Sequence, residues 1–477
     1  MHHDARDFAP AARASLGDAR LQQALARIPI KFVQGRARAA DEFGDFEALR
    51  EAGRRVRDTV LADLAGWLEK FEAAAVARGV QVHWAEDAAD ACRIVADIAR
   101  AAGCRRAVKS KSMVSEEIGL NAALAAAGVE VVETDLGEYV IQLAGERPSH
   151  IVAPIIHKDR AAVAELFETH HARERPDPAW RDDIAGLTRE AREELRPRFL
   201  AADLGISGAN FLVAETGSAM IVTNEGNGRL CTTLPRVHVA VTGIEKVVPT
   251  LDDAATLVRL LTRSATGQPI SNYVSILTGP KDAGGAEGPD EMHVVLLDNG
   301  RSRLSADPAL KPMLRCIRCG ACMNHCPVYQ AIGGHPYGWV YPGPMGAVLA
   351  PHLLGLEAAP DLPQAATLCG QCEVACPVKI PLPEMLRMLR ERQAEAGLQS
   401  GRTRLAFRLW GALALRPSRY ARVTGWIVRG LRLLARGGQL RGRSGWFSGR
   451  TLPAPAGRTF QALYAERQRA AGKETTR

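Results

Sequence analysis

The sequence predicts an α/β domain with a largely parallel sheet, then a helical module organised by cysteines, then a basic tail that is helical or partly disordered. Three observations carry that reading. Between residues 86 and 302 short apolar runs alternate with helical stretches, the pattern of strands joined by crossover helices. Seven of the ten cysteines fall in two runs between 316 and 376. From 397 to 465 there are thirteen arginines and neither a lysine nor an acid. The net charge of +8 thus belongs to the tail, and the rest of the chain is mildly acidic.

A chain of 477 residues has room for two or three domains. Residues 1–85 read as helical: Val60, Leu61, Leu64, Leu68 and Phe71 recur at helical spacing, with Gly79 as a stop. Residues 86–302 form the α/β domain. A helix is expected over 88–102, with Ile94, Val95 and Ile98 on one face. Strands are expected at 106–109, 130–133, 151–156, 211–214, 219–223, 237–241, 274–277 and 293–297, and a flexible loop over 282–289. Residues 303–396 form the cysteine module, closed by an amphipathic helix over 382–396, and 397–477 form the tail. No apolar run follows the N-terminus, and none of about 20 residues occurs, so neither a secretory leader nor a membrane span is expected.

The first cysteine run is Cys316-x2-Cys319-x2-Cys322-x3-Cys326-Pro327, and the second is Cys369-x2-Cys372-x3-Cys376-Pro377. The first spacing is that of bacterial ferredoxins, in which the cysteine before proline serves the other cluster. Short gaps aim successive thiolates at one small inorganic core, and Gly320 and Gly370 let the backbone come close. By this logic Cys316, Cys319, Cys322 and Cys376 hold iron–sulfur cluster 1, and Cys326, Cys369 and Cys372 hold cluster 2. Ala366 stands where a full second motif would have its first cysteine. Cluster 2 is therefore a three-iron (3Fe-4S) centre, or a four-iron (4Fe-4S) centre with an open or non-cysteine ligand. Zinc favours four-ligand sets without the interleaved Cys-Pro signature. Disulfides and oxygen-labile clusters belong to different compartments, and the reducing cytoplasm suits this chain. The remaining Cys92, Cys104 and Cys231 lie in apolar settings and read as buried structural thiols. The segment between the runs is rich in Gly, Pro and Tyr, which suggests a covering loop or docking surface.

Two further constellations stand out. Lys109-Ser110-Lys111-Ser112 follows a strand and precedes a helix, an arrangement that suits an anion unless Ser112 or Ser115 simply caps the helix. Residues 212–230 (LVAETGSAMIVTNEGNGRL) set Glu215, Asn224, Glu225 and Asn227 in two glycine-rich turns, which either line a crevice at a sheet edge or are only tight turns. His157, His238 and His293 read as packed structural histidines. In the tail, Trp and Leu alternate with arginine, the composition of basic amphipathic helices that meet anionic membrane surfaces or acidic proteins. Nucleic acid fits this pattern less well, because polar base readers are missing.

Taken together, KSKSMVSEEIGLN (109–121), ETDLGEYVIQLAGERPSHIVAPIIHKDR (133–160), ETGSAMIVTNEGNGRL (215–230), CIRCGACMNHCPVYQAIGGHPYGWVYPGPMGAVL (316–349) and LCGQCEVACPVKIPL (368–382) resemble the lactate utilization protein B family of iron–sulfur proteins. The resemblance implies a LUD domain of the isomerase and CoA-transferase-like α/β group, followed by a helical dicluster ferredoxin-type domain. It implies an electron-transfer subunit of a three-protein system that oxidises L-lactate to pyruvate. A cysteine-rich protein of the heterodisulfide-reductase type and a small separate LUD protein would be its partners. The cysteine chemistry puts the chain in the cytoplasm, and the composition of the tail adds the inner face of the membrane as one option. Two rivals remain: a catalytic subunit binding substrate around Lys109, Lys111, Ser112 and Glu215, and an iron–sulfur sensor whose tail binds nucleic acid. The arginine-rich tail lies outside what the resemblance carries.

Overall fold

The computed structural model describes residues 7–175, 178–285, 287–442 and 451–474. The chain forms two compact units, Met1–Ala396 and Gly397–Arg477. In the first, the strands are β1 (Gln81–Ala85), β2 (Arg106–Lys109), β3 (Glu130–Glu133), β4 (Leu204–Ser207), β5 (Phe211–Val213), β6 (Ser218–Thr223), β7 (Val237–Gly243), β8 (Val247–Val248), β9 (Tyr273–Leu277) and β10 (Glu291–Leu297). Six of them make one sheet in the order β1-β10-β7-β4-β2-β3, and every pairing is parallel. β7 is buried along its whole length, as a central strand covered on both faces must be. The parallel arrangement puts all six carboxyl ends on one edge. Against it lies a four-stranded sheet, β8-β5-β6-β9, in which β5 and β6 form an antiparallel hairpin.

Capping residues fix where the crossover helices begin. Asp87 accepts from the Asp90 amide to start Ala88–Ala101, and Thr250 accepts from Asp253 to start Leu251–Thr266. The apolar stripe from Val60 to Phe71 belongs to two helices, Phe46–Ala62 and Leu64–Val76, because Asp63 ends the first and caps the second.

Several expectations change. The stretch 151–156 is a run of turns, not a strand. The His150 Nδ1 accepts from both the Val152 and Ala153 amides at 3.0 Å, so the side chain captures donors that a strand would need. β1, β4 and β8 carry too little pattern to be read from sequence. β4 is four residues long and includes Gly205, where a Cβ would stand 1.8 Å from the Cys231 carbonyl oxygen. Residues 327–368 are not a covering loop. They contain the helices Pro327–Ile332 and Gly343–Leu354, and Tyr329, Tyr337, Trp339 and Tyr341 are all buried in the core that surrounds the cysteines. Here glycine serves packing: a Cβ on Gly346 would meet the Tyr341 carbonyl oxygen at 1.6 Å.

The second unit contains the helices Gly401–Ala414, Pro417–Leu434 and Phe460–Glu474 and a hairpin of Gln439–Arg441 with Thr451–Pro453. Phe407, Leu409, Trp410, Trp426 and Leu433 stand exposed on the first two helices. Among the described residues, no helix is long and apolar enough to cross a membrane.

Candidate metal centres and the adjoining cavity

The cysteines converge on two small cavities. One is lined by Cys316, Cys319, Cys322 and Cys376, together with Ile151, Gly320 and Met345. The other is lined by Cys326, Cys369 and Cys372, with Ala366, Thr367 and Gln371 beside them. Each run thus contributes its Cys-Pro sulfur to the other run's cavity. Burial and the neighbouring sulfurs disfavour ionisation of Cys319, Cys322 and Cys376. Burial, then the neighbouring Cys376 and Cys316 sulfurs, push the Cys319 thiol up to about 12. A soft, positively charged iron–sulfur core that displaces the protons removes that conflict, so the donor set fits such a group. Backbone donors already aim at the sulfurs: the Arg318 amide at Cys316 Sγ, 3.4 Å, and the Ile380 amide at Cys376 Sγ, 3.3 Å. Bonds of this kind tune a cluster's potential.

A buried polar network ties the first cysteine loop to the sheet. Arg301, after β10, reaches Glu117 at 2.7 Å and Glu245, after β7, at 2.8 Å. The Tyr341 hydroxyl donates to Glu117 at 2.7 Å. Arg318 approaches Glu245 at 3.4 Å and lies 4.9 Å over the Tyr341 ring. Burial works against the charge on Glu245, but Arg301 and Arg318 outweigh it and hold the carboxyl at about 2. Arg57 adds hydrogen bonds to the carbonyls of Val247, Glu245 and Leu314.

Beside this network, at the carboxyl edge of the parallel sheet, lies a cavity of about 370 Å³. Lys111 and Ser112 reach it from the end of β2, Asn210 from beyond β4 and Lys246 from beyond β7. Thr223, Asn224, Glu225 and Asn227 close one side, and Arg318 of the cysteine loop closes another. Phe32, Ile151, Val241 and Leu261 supply apolar wall. Burial and the Arg318 charge lower Lys246 to about 8. Burial and Asp135 raise the Glu225 carboxyl to about 7.

Of the residues read as an anion pocket, Lys111 and Ser112 line this cavity. Lys109 does not. It is fully buried between Glu116 and Glu133, each 2.7 Å away; burial opposes its charge, but Glu116, Glu133 and Glu138 outweigh that and hold its pKa above the ordinary range. Ser112 also caps the short helix Met113–Ile118. Glu215 sits at the far turn of the β5–β6 hairpin and accepts from the Leu251 amide at 3.1 Å. The two glycine-rich turns therefore have different tasks: Gly217 lets that hairpin press against Ala75, and the Asn224–Asn227 turn borders the cavity. His238 bonds the Ser207 hydroxyl and His293 faces His83, whereas His157 bonds Glu146 and stacks edge-on against His335. Cys92, Cys104 and Cys231 are buried away from both cysteine cavities.

The chain matches the family model of the LUD domain over residues 68–297 and that of the 4Fe-4S dicluster domain over 312–380. It is 39% identical to the electron transport protein YkgF of Escherichia coli, across 97% of both chains. It is 42% identical to lactate utilization protein B of an Exiguobacterium strain, covering 94% of this chain and 95% of that one. The Bacillus subtilis protein of the same name is 41% identical, covering 91% and 90%. The chain belongs to the lactate utilization protein B family.

This family member is thus a LUD α/β domain followed by a helical dicluster ferredoxin domain. Its cysteines were plain in the sequence, but Arg301, Arg318, Glu245 and Lys246 were not. Each is a common residue at an ordinary strand end or loop, and only the packing of the two domains brings them together. The Arg318 backbone is the exception that left no trace at all: it holds φ of 60° without being glycine.

Proposed function

We propose that this protein relays single electrons through two iron–sulfur clusters within a multi-protein system that oxidises L-lactate to pyruvate. Cys316, Cys319, Cys322 and Cys376 would hold cluster 1, and Cys326, Cys369 and Cys372 cluster 2; bound there, the clusters accept and donate one electron at a time. The observation that carries the reading is the gathering of seven sulfurs, contributed crosswise by two runs, into two cavities of one compact unit. The names of the relatives supply the metabolic context. A cysteine-rich protein of the heterodisulfide-reductase type and a small LUD protein would be the partners. The tail's arginines and exposed Trp and Leu side chains suit an anionic membrane surface or an acidic protein at the cytoplasmic side.

Anaerobic EPR of the reconstituted protein, with and without those partners, before and after L-lactate, tests the proposal. Cluster reduction only when partners and lactate are both present is the expected result. Clusters that dithionite reduces but lactate never does, in any combination, would overturn the lactate role.

A further inference from the structure

The relay makes no use of the cavity at the carboxyl edge of the parallel sheet. We propose that this cavity binds a small organic carboxylate, its charge held by Lys246 and Lys111, beside the loop that carries Cys316 and Cys319.

Lys246 is the starting point. It is 5% exposed and lines the cavity, yet its ammonium makes no hydrogen bond or close ion pair among the described residues. An ammonium on so largely buried a side chain is poorly solvated, and an anion in the cavity it lines would offset that. The Lys111 Nζ also lacks a hydrogen bond, and its nearest acid is Glu138 at 3.7 Å. That carboxyl is pushed up to about 8, chiefly by burial, so near neutral pH it leaves the ammonium largely uncompensated. Two cations from different strand ends therefore face one space.

The class of anion follows from the rest of the wall. Phosphate sites rely on rows of backbone amides at a helix start. Here the adjacent helix, Met113–Ile118, is short, and Ser112 already takes the Ser115 amide. Lys31 also borders the cavity but is exposed, and Arg318 is engaged by Glu245; the remaining ammonium groups, Lys111 and Lys246, with apolar wall from Phe32, Ile151 and Leu261, suit a monoanion with a hydrocarbon body. Asn210 and Glu225 offer polar contacts for an oxygen on that body. The site also adjoins the cysteines. Arg318 lines it, and the Arg318 amide bonds Cys316 Sγ; Ile151 lines both this cavity and that of Cys316, Cys319, Cys322 and Cys376.

The test is calorimetric titration of the anaerobically reconstituted holoprotein with L-lactate, pyruvate and inorganic phosphate in turn. The cluster assignment enters only through a second readout, the EPR spectrum with and without ligand. At least one carboxylate should bind, phosphate should bind far more weakly, and Lys246→Met should weaken the carboxylate about 100-fold, as loss of a buried charge partner does. Lys246→Arg should restore most of the affinity, and Lys111→Met provides an independent second variant. The lactate and pyruvate arms tell the reduced from the oxidised form of the ligand. Binding should shift the cluster 1 signal and leave that of cluster 2 alone. No heat with either carboxylate, equal binding of phosphate, or wild-type affinity in both methionine variants would overturn the proposal. Carboxylate binding without any dithionite-reducible cluster would instead sink the relay and leave the site standing.

Discussion

In the first cysteine loop Arg318, at φ 60°, precedes Cys319, and Gly320, at 76°, follows it; in the second, Leu368 at 55° and Gly370 at 84° stand on either side of Cys369. Each loop then enters a helix of one turn, Ala321–Asn324 or Gln371–Val374. Two non-glycine residues in the left-handed region, at matching places, mark one backbone used twice, since each costs roughly 1 kcal/mol that its loop must offset. The surroundings differ. Arg318 is anchored by Glu245 and Tyr341, whereas Leu368 is 39% exposed and the Cys369 beside it is open to solvent. Cys316 in the first loop corresponds to Ala366 in the second. The backbone is set by what the sulfurs must reach, and the environment separates an interior centre beside the sheet from one at the surface. On the relay reading, the interior centre faces the LUD domain and the surface centre faces a partner.

The strongest way to break this comparison is to remove one equivalent sulfur from each loop. Cys319→Ser should lose cluster 1 and roughly half of the iron, and Cys369→Ser should lose cluster 2 while cluster 1 keeps its signal. Iron analysis with EPR on the two variants checks the assignment of each loop to its own cluster. Unchanged iron and an unchanged visible spectrum in Cys319→Ser would refute it.

The loops' cysteines were legible because ligand spacing is local: one chain segment supplies most of one site. The parallel sheet was legible wherever apolar residues clustered between helical stretches, whether as an apolar run at 237–241 or as a short apolar pair between charges at 106–109 and 130–133. What the sequence concealed depends on distant partners. His150 turns a strand-like stretch by taking two backbone amides, and the Gly- and Pro-rich segment after Cys326 reads as loop because close packing also selects glycine. Lys109 and Lys111 look alike in the sequence, but pleat and turn send one into an acidic interior and the other into a cavity.

The anchoring of the first loop makes the second prediction. Arg301 is buried against Glu117 and Glu245, whereas Lys379, just after the second cysteine run, pairs with Glu47 and Glu51 in partly exposed positions. Arg301→Met leaves Glu117 without a cationic partner and Glu245 with the more distant Arg318 alone, so it should destabilise the first compact unit by about 3–5 kcal/mol. Denaturant unfolding of the holoprotein reads this directly. Cluster 1 should be the first to bleach on warming, because Arg318 shares Glu245 with Arg301. Equal loss of both clusters would show that the network supports the fold in general and not the first loop in particular.

The smallest change sharpens the comparison instead of breaking it. Ala366→Cys gives the second loop the sulfur that Cys316 gives the first, and Ala366 already lines the cavity of Cys326, Cys369 and Cys372. Its carbonyl, held by Arg390 at 2.9 Å, fixes the backbone from which the new thiol would extend. Little change in stability is expected, within about 0.5 kcal/mol for a half-buried site. The cluster is where the effect should appear. A centre with three cysteines loses iron readily on oxidation, so brief exposure to air should produce a three-iron EPR signal in the parent protein and little or none in the variant. Mössbauer spectra should show four equivalent-type iron ligations at both centres. If the parent gives no such signal, cluster 2 already has a fourth protein ligand, and the Thr367 hydroxyl and Gln371 amide, which line the same cavity, are the groups to replace next.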